Sequence, residues 1–252
     1  ILLHHFALVK GFFCFYFHPL LCGSYNGAEV IFLLETSKWE DSLMDPDMEE
    51  PVLELSVSLP ASPWEGRSGA RLKAFYAQVE RVWLQRWKTL LFPRASRALR
   101  DARDRSHPFS PWRAELTCHA SYESDGLLSL YRDVTESNGV SSFRTVRAAD
   151  TWDLSTGSPL TLAGCLACPR RWRRTVLTEL RHQVRECMER NGAAFYPDAE
   201  RRASRLFSPE RFYLTPEGIT VFYPAHALGP RSDCFSTFLL SAQTAFLEKS
   251  AQ

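Results

Sequence analysis

The chain has 252 residues, of which 45% are apolar and 23% charged, with a formal charge of +1 and a mean hydropathy of −0.23. This length supports one large or two small domains, and the composition is that of an ordinary soluble globular protein rather than a collagen, a coiled coil or a polytopic membrane protein. The near-zero charge argues against the cationic field of a general nucleic-acid coat.

The first 43 residues differ in composition from the rest. They contain no arginine, whereas residues 44–252 contain 25, and the first methionines are Met44 and Met48. We therefore expect residues 1–43 to be a nonnative or leader segment and the native product to start at Met44 or Met48. Two alternatives stay open, a genuine targeting segment and an ordinary structural strand or helix. The apolar run over residues 11–17 is shorter than the roughly 18–20 residues of a spanning helix.

The cysteines favour reduced thiols. Their number, seven, is odd and they are widely spaced, whereas a disulfide scaffold has an even number in a short chain. Cys165 and Cys168 have the spacing of a zinc or redox pair, but no second such pair accompanies them. We expect two small packed side chains, with no metal ion and no cofactor.

Strand and helix patterns alternate after the first segment. Residues 52–59 alternate apolar and polar side chains, which predicts a half-buried strand that ends at Pro60. Apolar residues then recur every three or four positions over residues 71–91, which predicts an amphipathic helix. We expect Pro93 to interrupt this helix and a second piece to run over residues 94–105.

Three further strands are predicted next. Residues 112–123 alternate, a turn at residues 124–126 follows, and residues 127–135 return. A turn at residues 138–139 leads to a third strand over residues 142–154. We expect an antiparallel meander that packs on the preceding helix.

A second helix and more strands complete the pattern. One apolar face over residues 172–188 predicts the helix, and residues 211–214, 219–223 and 234–240 predict strands. The fold class is therefore α+β, with two β-helix-β lobes whose antiparallel sheets pack on one long and one shorter helix. We assign residues 44–150 to the N-terminal lobe and residues 151–252 to the C-terminal lobe.

Arginine is densest around the start of the second predicted helix. Arg170, Arg171, Arg173 and Arg174 surround Trp172, a pattern that can stack bases and neutralise phosphates. Trp172 belongs to the apolar face, however, so a charged solvent face is the simpler interpretation, and we expect no nucleic-acid partner.

Catalytic motifs are missing from the sequence. It contains no His-Glu-x-x-His, Gly-x-Ser-x-Gly, Gly-x-x-x-x-Gly-Lys or Gly-x-Gly-x-x-Gly pattern. No nucleophile is paired with a base by spacing, so we name no catalytic residue.

Two segments carry a family resemblance. Residues 152–162 read WDLSTGSPLTL and residues 211–224 read RFYLTPEGITVFYP. They resemble the bacterial domain of unknown function found in RsiV-type anti-sigma factors and PdaC-type peptidoglycan deacetylases, where a Thr-Gly turn, a leucine-threonine-leucine segment and an aromatic hairpin follow in this order. Residues 52–150 look like the domain that usually precedes it.

The resemblance implies binding rather than chemistry. In the anti-sigma factors this region senses lysozyme outside the membrane, and in the deacetylases a separate domain does the catalysis. We therefore expect a noncatalytic module whose ligand is a protein, such as a lysozyme, or a cell-wall glycan. The aromatic hairpin and the loop after it provide the candidate ligand-binding or structural residues Tyr213, Tyr223, His226 and Arg231, and we expect the two tyrosines to pack across neighbouring strands.

Alternatives remain at this stage. A small hydrolase or deacetylase with an unrecognised site is one, and an intracellular interaction protein is another. The thiols favour the cytoplasm, whereas the resemblance favours the cell envelope. The oligomeric state is open.

Overall fold

Six strands and a long helix form the first part of the fold. The computed structural model describes residues 36–61, 65–124, 126–166, 170–230 and 235–241. The strands lie side by side in the order β1-β2-β3-β4-β5-β6. Their bounds are Thr36–Met44 (β1), Pro51–Pro60 (β2), Trp112–Ser124 (β3), Leu127–Ser137 (β4), Ser142–Asp153 (β5) and Ser158–Pro159 (β6).

Neighbouring strands of this sheet are antiparallel except for one pair. Strand β2 pairs with β3 in parallel, and the helical segment between them crosses over one face of the sheet. This segment consists of α1 (Gly66–Arg86), a π-helical turn (Trp87–Leu91) and α2 (Phe92–Asp104). A parallel pair needs such a crossover, because its two strands start at the same edge of the sheet.

The α-helical bonding is interrupted just before Pro93, and a second helical piece follows, as the sequence predicted. The π-helical turn precedes the proline directly, and the N–H of Phe92 donates to the carbonyl of Trp87. The widened turn changes the backbone hydrogen bonds from a four-residue to a five-residue spacing directly before the proline. Because Pro93 has no N–H, this change falls where the regular pattern would lose a bond, and the chain continues as helix α2.

A three-stranded sheet and two helices form the second part. Strands β7 (Phe212–Thr215), β8 (Gly218–Tyr223) and β9 (Ser236–Ser241) are antiparallel neighbours. Helices α3 (Trp172–Arg190) and α4 (Ala199–Leu206) share a hydrophobic cluster with one face of this sheet. The opposite face of the sheet contacts β3, β4 and β5. The order of layers is therefore long helix, six-stranded sheet, three-stranded sheet, and the α3–α4 pair.

Two hydrophobic clusters occupy the space between these layers. The cluster between the long helix and the six-stranded sheet includes Leu72, Trp87, Leu116 and Leu130. The other lies under α3 and α4 and includes Val176, Leu180, Val221 and Tyr223; all of these side chains are buried. Burial of this apolar area is the main force that holds the layers together.

The α+β class is confirmed, and the predicted strands and helices recur with small shifts of their ends. The sequence patterns missed β1 and α4. Strand β1 is an edge strand with mostly exposed side chains. Helix α4 has only eight residues, and its buried residues are the small Ala199 and Ala203.

Residues 36–43 of the expected leader form most of β1, which pairs with β2 along its length. The rest of that segment, residues 1–35, lies outside the described residues. The lobe boundaries drawn at residue 150 stay a prediction. None of the helices in the described ranges is both long and apolar enough to cross a bilayer.

Candidate functional site

The β7–β8 hairpin holds the two tyrosines that the sequence singled out. Tyr213 pairs with Thr220, and Tyr223 lies three residues further along β8. Because side chains alternate along a strand, this odd separation places the two rings on opposite faces of the sheet. The two tyrosines therefore do not pack on each other; each packs across to an aromatic ring of a neighbouring strand, Tyr213 to Phe222 and Tyr223 to Phe238.

Tyr223 lies inside the cluster under α3 and α4. It is 1% exposed, and its ring meets the ring of Phe238 edge-on at 5.8 Å between centroids. Its hydroxyl donates a 2.8 Å hydrogen bond to the carbonyl oxygen of Ala203 in α4. Burial raises the pKa of this hydroxyl, so it stays protonated. Tyr223 thus ties the hairpin to α4 and offers no face to a ligand.

Tyr213 points the other way, into the contact between the two sheets. Its ring lies 4.9 Å from that of Tyr131 on β4, and Tyr131 in turn stacks on His119 of β3 at 4.9 Å. Burial raises the pKa of Tyr213 as well. We call His119, Tyr131, Asp133, Arg147 and Tyr213 the intersheet cluster.

An arginine–aspartate pair lies at the centre of the intersheet cluster. Arg147 on β5 donates from Nε and Nη2 to the two carboxylate oxygens of Asp133 on β4, at 2.8 and 2.6 Å. Its guanidinium also lies 4.3 Å from the centroid of the Tyr131 ring and 4.6 Å from that of Phe235. Burial lowers the pKa of Arg147, but the hydrogen bonds to Asp133 and the attraction of its negative charge together outweigh burial, and the net shift is upward.

His119 is the titratable group of the cluster closest to neutral pH. Burial lowers its pKa, Asp133 partly offsets this and Arg147 adds to it. The ring is therefore neutral under conditions in which an exposed histidine would begin to take up a proton.

The loop over residues 224–230 follows the hairpin and is fastened to the α3–α4 connection. The N–H of Tyr196 donates to the carbonyl of Leu228 at 2.8 Å, and Leu228 itself is fully buried. Gly229 lies against the same connection, where an added Cβ would come within 2.0 Å of the Ala194 carbonyl oxygen. His226 is exposed within this loop and has a φ of 61°. Arg231 lies outside the described residues.

The cysteines that the structure describes in the interior are inert. Burial raises the pKa of Cys118 to about 12 and that of Cys165 to about 11, so neither forms a thiolate near neutral pH. Cys168, the other member of the Cys-x-x-Cys pair, lies outside the described residues.

Two concave regions occur on the long helix. A cleft of about 180 Å³ lies between the start of α1 and the end of β5 and is lined by Glu65, Ser68, Gly69, Leu72 and Leu154. An open groove of about 710 Å³ follows the outer side of α1 from Ala77 to Thr89. In the cleft, the hydroxyl of Ser68 donates a hydrogen bond to the carbonyl oxygen of Ser155. Among the described residues, His, Cys, Asp and Glu side chains form no group of three with the geometry of a metal site.

Sequence reasoning named Tyr213 but missed the other members of the intersheet cluster. These four lie in strands β3, β4 and β5, at positions that alternate with buried residues such as Leu116, Leu130 and Val134. Polar residues in that pattern indicate a solvent-facing side of the sheet. A second sheet covers that side, and the only sequence signal for it was the aromatic and charged character of Tyr131, Asp133 and Arg147.

Comparison with known proteins gives the fold. No family model and no curated protein matches the sequence. A solved structure of a DUF3298 family member from Bacteroides fragilis superposes with a TM-score of 0.61 at 11% identity, over 84% of this chain and 92% of that one. The chain has the fold of these DUF3298 proteins. A DUF3298 family protein from Pseudomonas aeruginosa has the same fold, with a TM-score of 0.52 at 18% identity, over 82% of this chain and 90% of its own.

The DUF3298 fold thus accounts for the layers described above. The hairpin over residues 211–224 forms two of the three strands of the smaller sheet. These likenesses concern the fold alone.

Proposed function

We propose that the chain is a noncatalytic binding module whose ligand is a protein, such as a lysozyme, or a cell-wall glycan. The observation that carries this proposal is the loop over residues 224–230. Buried Leu228 and the close approach of Gly229 to Ala194 fasten the loop to the α3–α4 connection, and His226 is exposed within it. A loop already fixed before the ligand arrives loses little conformational entropy on binding.

The backbone of His226 supports a binding role for this loop. A φ of 61° is uncommon for a residue with a side chain, and histidine and asparagine tolerate it better than most. Such conformations persist where the surrounding structure enforces them and are concentrated at functional sites. Here the contacts of Leu228 and Gly229 with the α3–α4 connection supply the enforcement.

The interior charged groups support a noncatalytic role. Asp133 is held by Arg147, Glu136 by Arg86 and Asp150 by Arg132. A carboxylate engaged by a guanidinium is not free to contact a substrate as a general base. These groups fasten strands and helices to one another.

The resemblance of residues 152–162 and 211–224 to the domain of RsiV-type anti-sigma factors suggests which ligands to try first. We test the proposal by titrating the whole chain calorimetrically with a lysozyme and, separately, with soluble peptidoglycan fragments. The informative variant is His226→Asn, which keeps the left-handed backbone accessible while it removes the imidazole. We expect at least tenfold weaker binding with an unchanged unfolding midpoint.

The matched control is His107→Asn, because His107 is also exposed but lies in the connection from α2 to β3. It should bind like the wild type. Failure of both ligands to bind overturns the proposal. Turnover of an acetylated glycan that is abolished by Glu65→Gln, in the cleft at the start of α1, also overturns it and favours the hydrolase or deacetylase alternative.

A further inference from the structure

A row of exposed arginines begins just before α3 and continues along its first half. Arg170 and Arg171 directly precede the helix, and Arg174 and Arg181 lie on one side of it, about 20° apart in helix angle and about 10 Å apart along its axis. All four side chains are exposed. We call this row, Arg170, Arg171, Arg174 and Arg181, the α3 basic face.

The arginines of the α3 basic face form no ion pair with any carboxylate among the described residues. In the second half of the same helix, by contrast, Arg185 pairs with Glu200 and Arg190 with Glu186. Arg181 interacts with Glu200 only through longer-range electrostatic attraction. The Glu200 carboxylate already accepts a hydrogen bond from Arg185. Glu179 is the one acidic residue between positions 170 and 181, and its carboxylate accepts a hydrogen bond from Gln183.

The arrangement is electrostatically unfavourable in the absence of a partner. Like charges three and four residues apart repel one another, and the start of a helix already has a positive potential. The first turn of α3 contains no acidic side chain that would offset it. An anionic partner removes this repulsion.

The residues around the arginines indicate which class of anionic partner fits this face. The uncharged residues beside them are exposed Thr175 and Thr178 and half-buried Leu177. Leu177 packs into the cluster under α3 and α4, so the face has no exposed apolar centre of the kind on which protein interfaces depend. It has no aromatic platform for bases either, because Trp172 packs on Phe207 with centroids 6.3 Å apart and Arg173 lies over the same ring at 5.8 Å. Guanidinium groups bind phosphate through paired hydrogen bonds.

We propose that the α3 basic face binds a linear phosphate polymer that carries no bases. The row of charges matches a chain of successive phosphates, and the release of counterions from such a chain supplies affinity without apolar contact. This inference goes beyond the proposed function, because it concerns another surface and a ligand of different chemistry.

The test measures binding of inorganic polyphosphate to the whole chain at salt concentrations from about 50 to about 200 mM. The variant is the triple substitution Arg171→Gln, Arg174→Gln and Arg181→Gln. Each lost phosphate contact lowers the slope of log K against log salt by about 0.7, so we expect a slope smaller by about 2 and at least tenfold weaker binding at the lowest salt.

Two control variants distinguish the loss of a specific site on the α3 basic face from a general effect of lower net charge. Arg94→Gln, Arg97→Gln and Arg105→Gln together remove the same charge from exposed positions on and just after α2 and should leave binding within about twofold. Lysine at positions 171, 174 and 181 keeps the charge and should retain the salt slope. An equal loss in the α2 triple overturns the assignment of the site.

Competing polymers decide the ligand class. Poly-glutamate and an oligothymidylate of similar charge should both bind more weakly than polyphosphate. Tighter binding of poly-glutamate overturns the proposal in favour of an acidic protein, and tighter binding of oligothymidylate overturns it in favour of single-stranded nucleic acid. Absence of polyphosphate binding at the lowest salt overturns it outright.

Discussion

The backbone N–H of Leu214 in β7 donates a 2.9 Å hydrogen bond to the hydroxyl oxygen of Ser129 in β4. This bond joins the two sheets, and both residues are buried. Ser129 and Thr151 of β5 also share a hydrogen bond of 2.9 Å between their hydroxyls. A chain of polar contacts therefore crosses from β5 through β4 into the hairpin of the second sheet.

Ser129→Ala should destabilise the protein by about 1–3 kcal/mol. The substitution leaves the buried N–H of Leu214 without a partner, and an unsatisfied buried donor costs its desolvation free energy. Urea unfolding followed by circular dichroism measures the change. Ser137→Ala, at the end of the same strand, serves as the control and should cost less than about 0.5 kcal/mol. Equal effects of the two substitutions would contradict the role assigned to Ser129.

Arg147→Met should destabilise the fold by about 2–4 kcal/mol, because it leaves the Asp133 carboxylate without its partner between the two sheets. Both side chains of this pair are less than one-fifth exposed. Adding Asp133→Asn to Arg147→Met should recover part of the loss, since the uncompensated charge is then gone. The four proteins of this double-mutant cycle are compared by urea unfolding. Strictly additive losses would show that the pair contributes no coupling.

His119 should make the protein less stable as the pH falls. Burial lowers its pKa in the folded state, so the unfolded chain binds a proton first as the pH drops below about 6.5. The free energy of unfolding contributed by this group is fully present above that pH and is lost towards the lower pKa of the folded state. His119→Gln should flatten the curve of unfolding free energy against pH between about 7.5 and 5.

The control for His119 is His107→Gln, which removes an exposed histidine. It should leave the pH dependence of the wild type intact. A curve for His119→Gln parallel to that of the wild type would mean that His119 does not link protonation to folding.

Tyr223→Phe should cost about 0.5–1.5 kcal/mol. It removes the hydrogen bond to the Ala203 carbonyl while it keeps the ring in the cluster under α3 and α4. Tyr223→Ala should cost about 3–5 kcal/mol, because it leaves a cavity in that cluster. Thermal unfolding measures both changes. Tyr196→Phe serves as the control for loss of a tyrosine hydroxyl. If Tyr223→Ala had wild-type stability, the buried position of the Tyr223 ring would be contradicted.

Gly229→Ala should displace the loop over residues 224–230. The new methyl carbon would lie 2.0 Å from the carbonyl oxygen of Ala194, a backbone atom that cannot move aside independently. We expect a loss of about 1–3 kcal/mol in stability and weaker binding of the ligand that responds to His226→Asn. Gly192→Ala is matched to it, because a Cβ at Gly192 would meet no atom within 4 Å. Chemical-shift changes confined to the loop would support the mechanism, whereas an unchanged loop would contradict it.

Local periodicity accounts for most of the elements that the sequence predicted correctly. Residues 52–59 alternate apolar and polar side chains, and residues 71–91 repeat apolar side chains every three or four positions. Each pattern arises because one face of the element packs on a hydrophobic cluster, so each can be recognised in a short stretch of sequence. The α+β class follows from the order of the predicted strands and helices along the chain. The sequence analysis missed β1, whose side chains are mostly exposed, and α4, which is eight residues long and buries only small alanines.

The interior of the candidate site depended on contacts between residues far apart in sequence. The faces that Tyr213 and Tyr223 occupy are set by strand register, and the π-helical turn before Pro93 depends on the bonding of the helix around it. The intersheet cluster became buried only because β7–β9 cover a side of the first sheet that is polar in sequence. Sequence alone determined the period of each element and its apolar face. Tertiary structure decided which polar side chains lost contact with water, because burial is a property of the packed layers and not of any single segment.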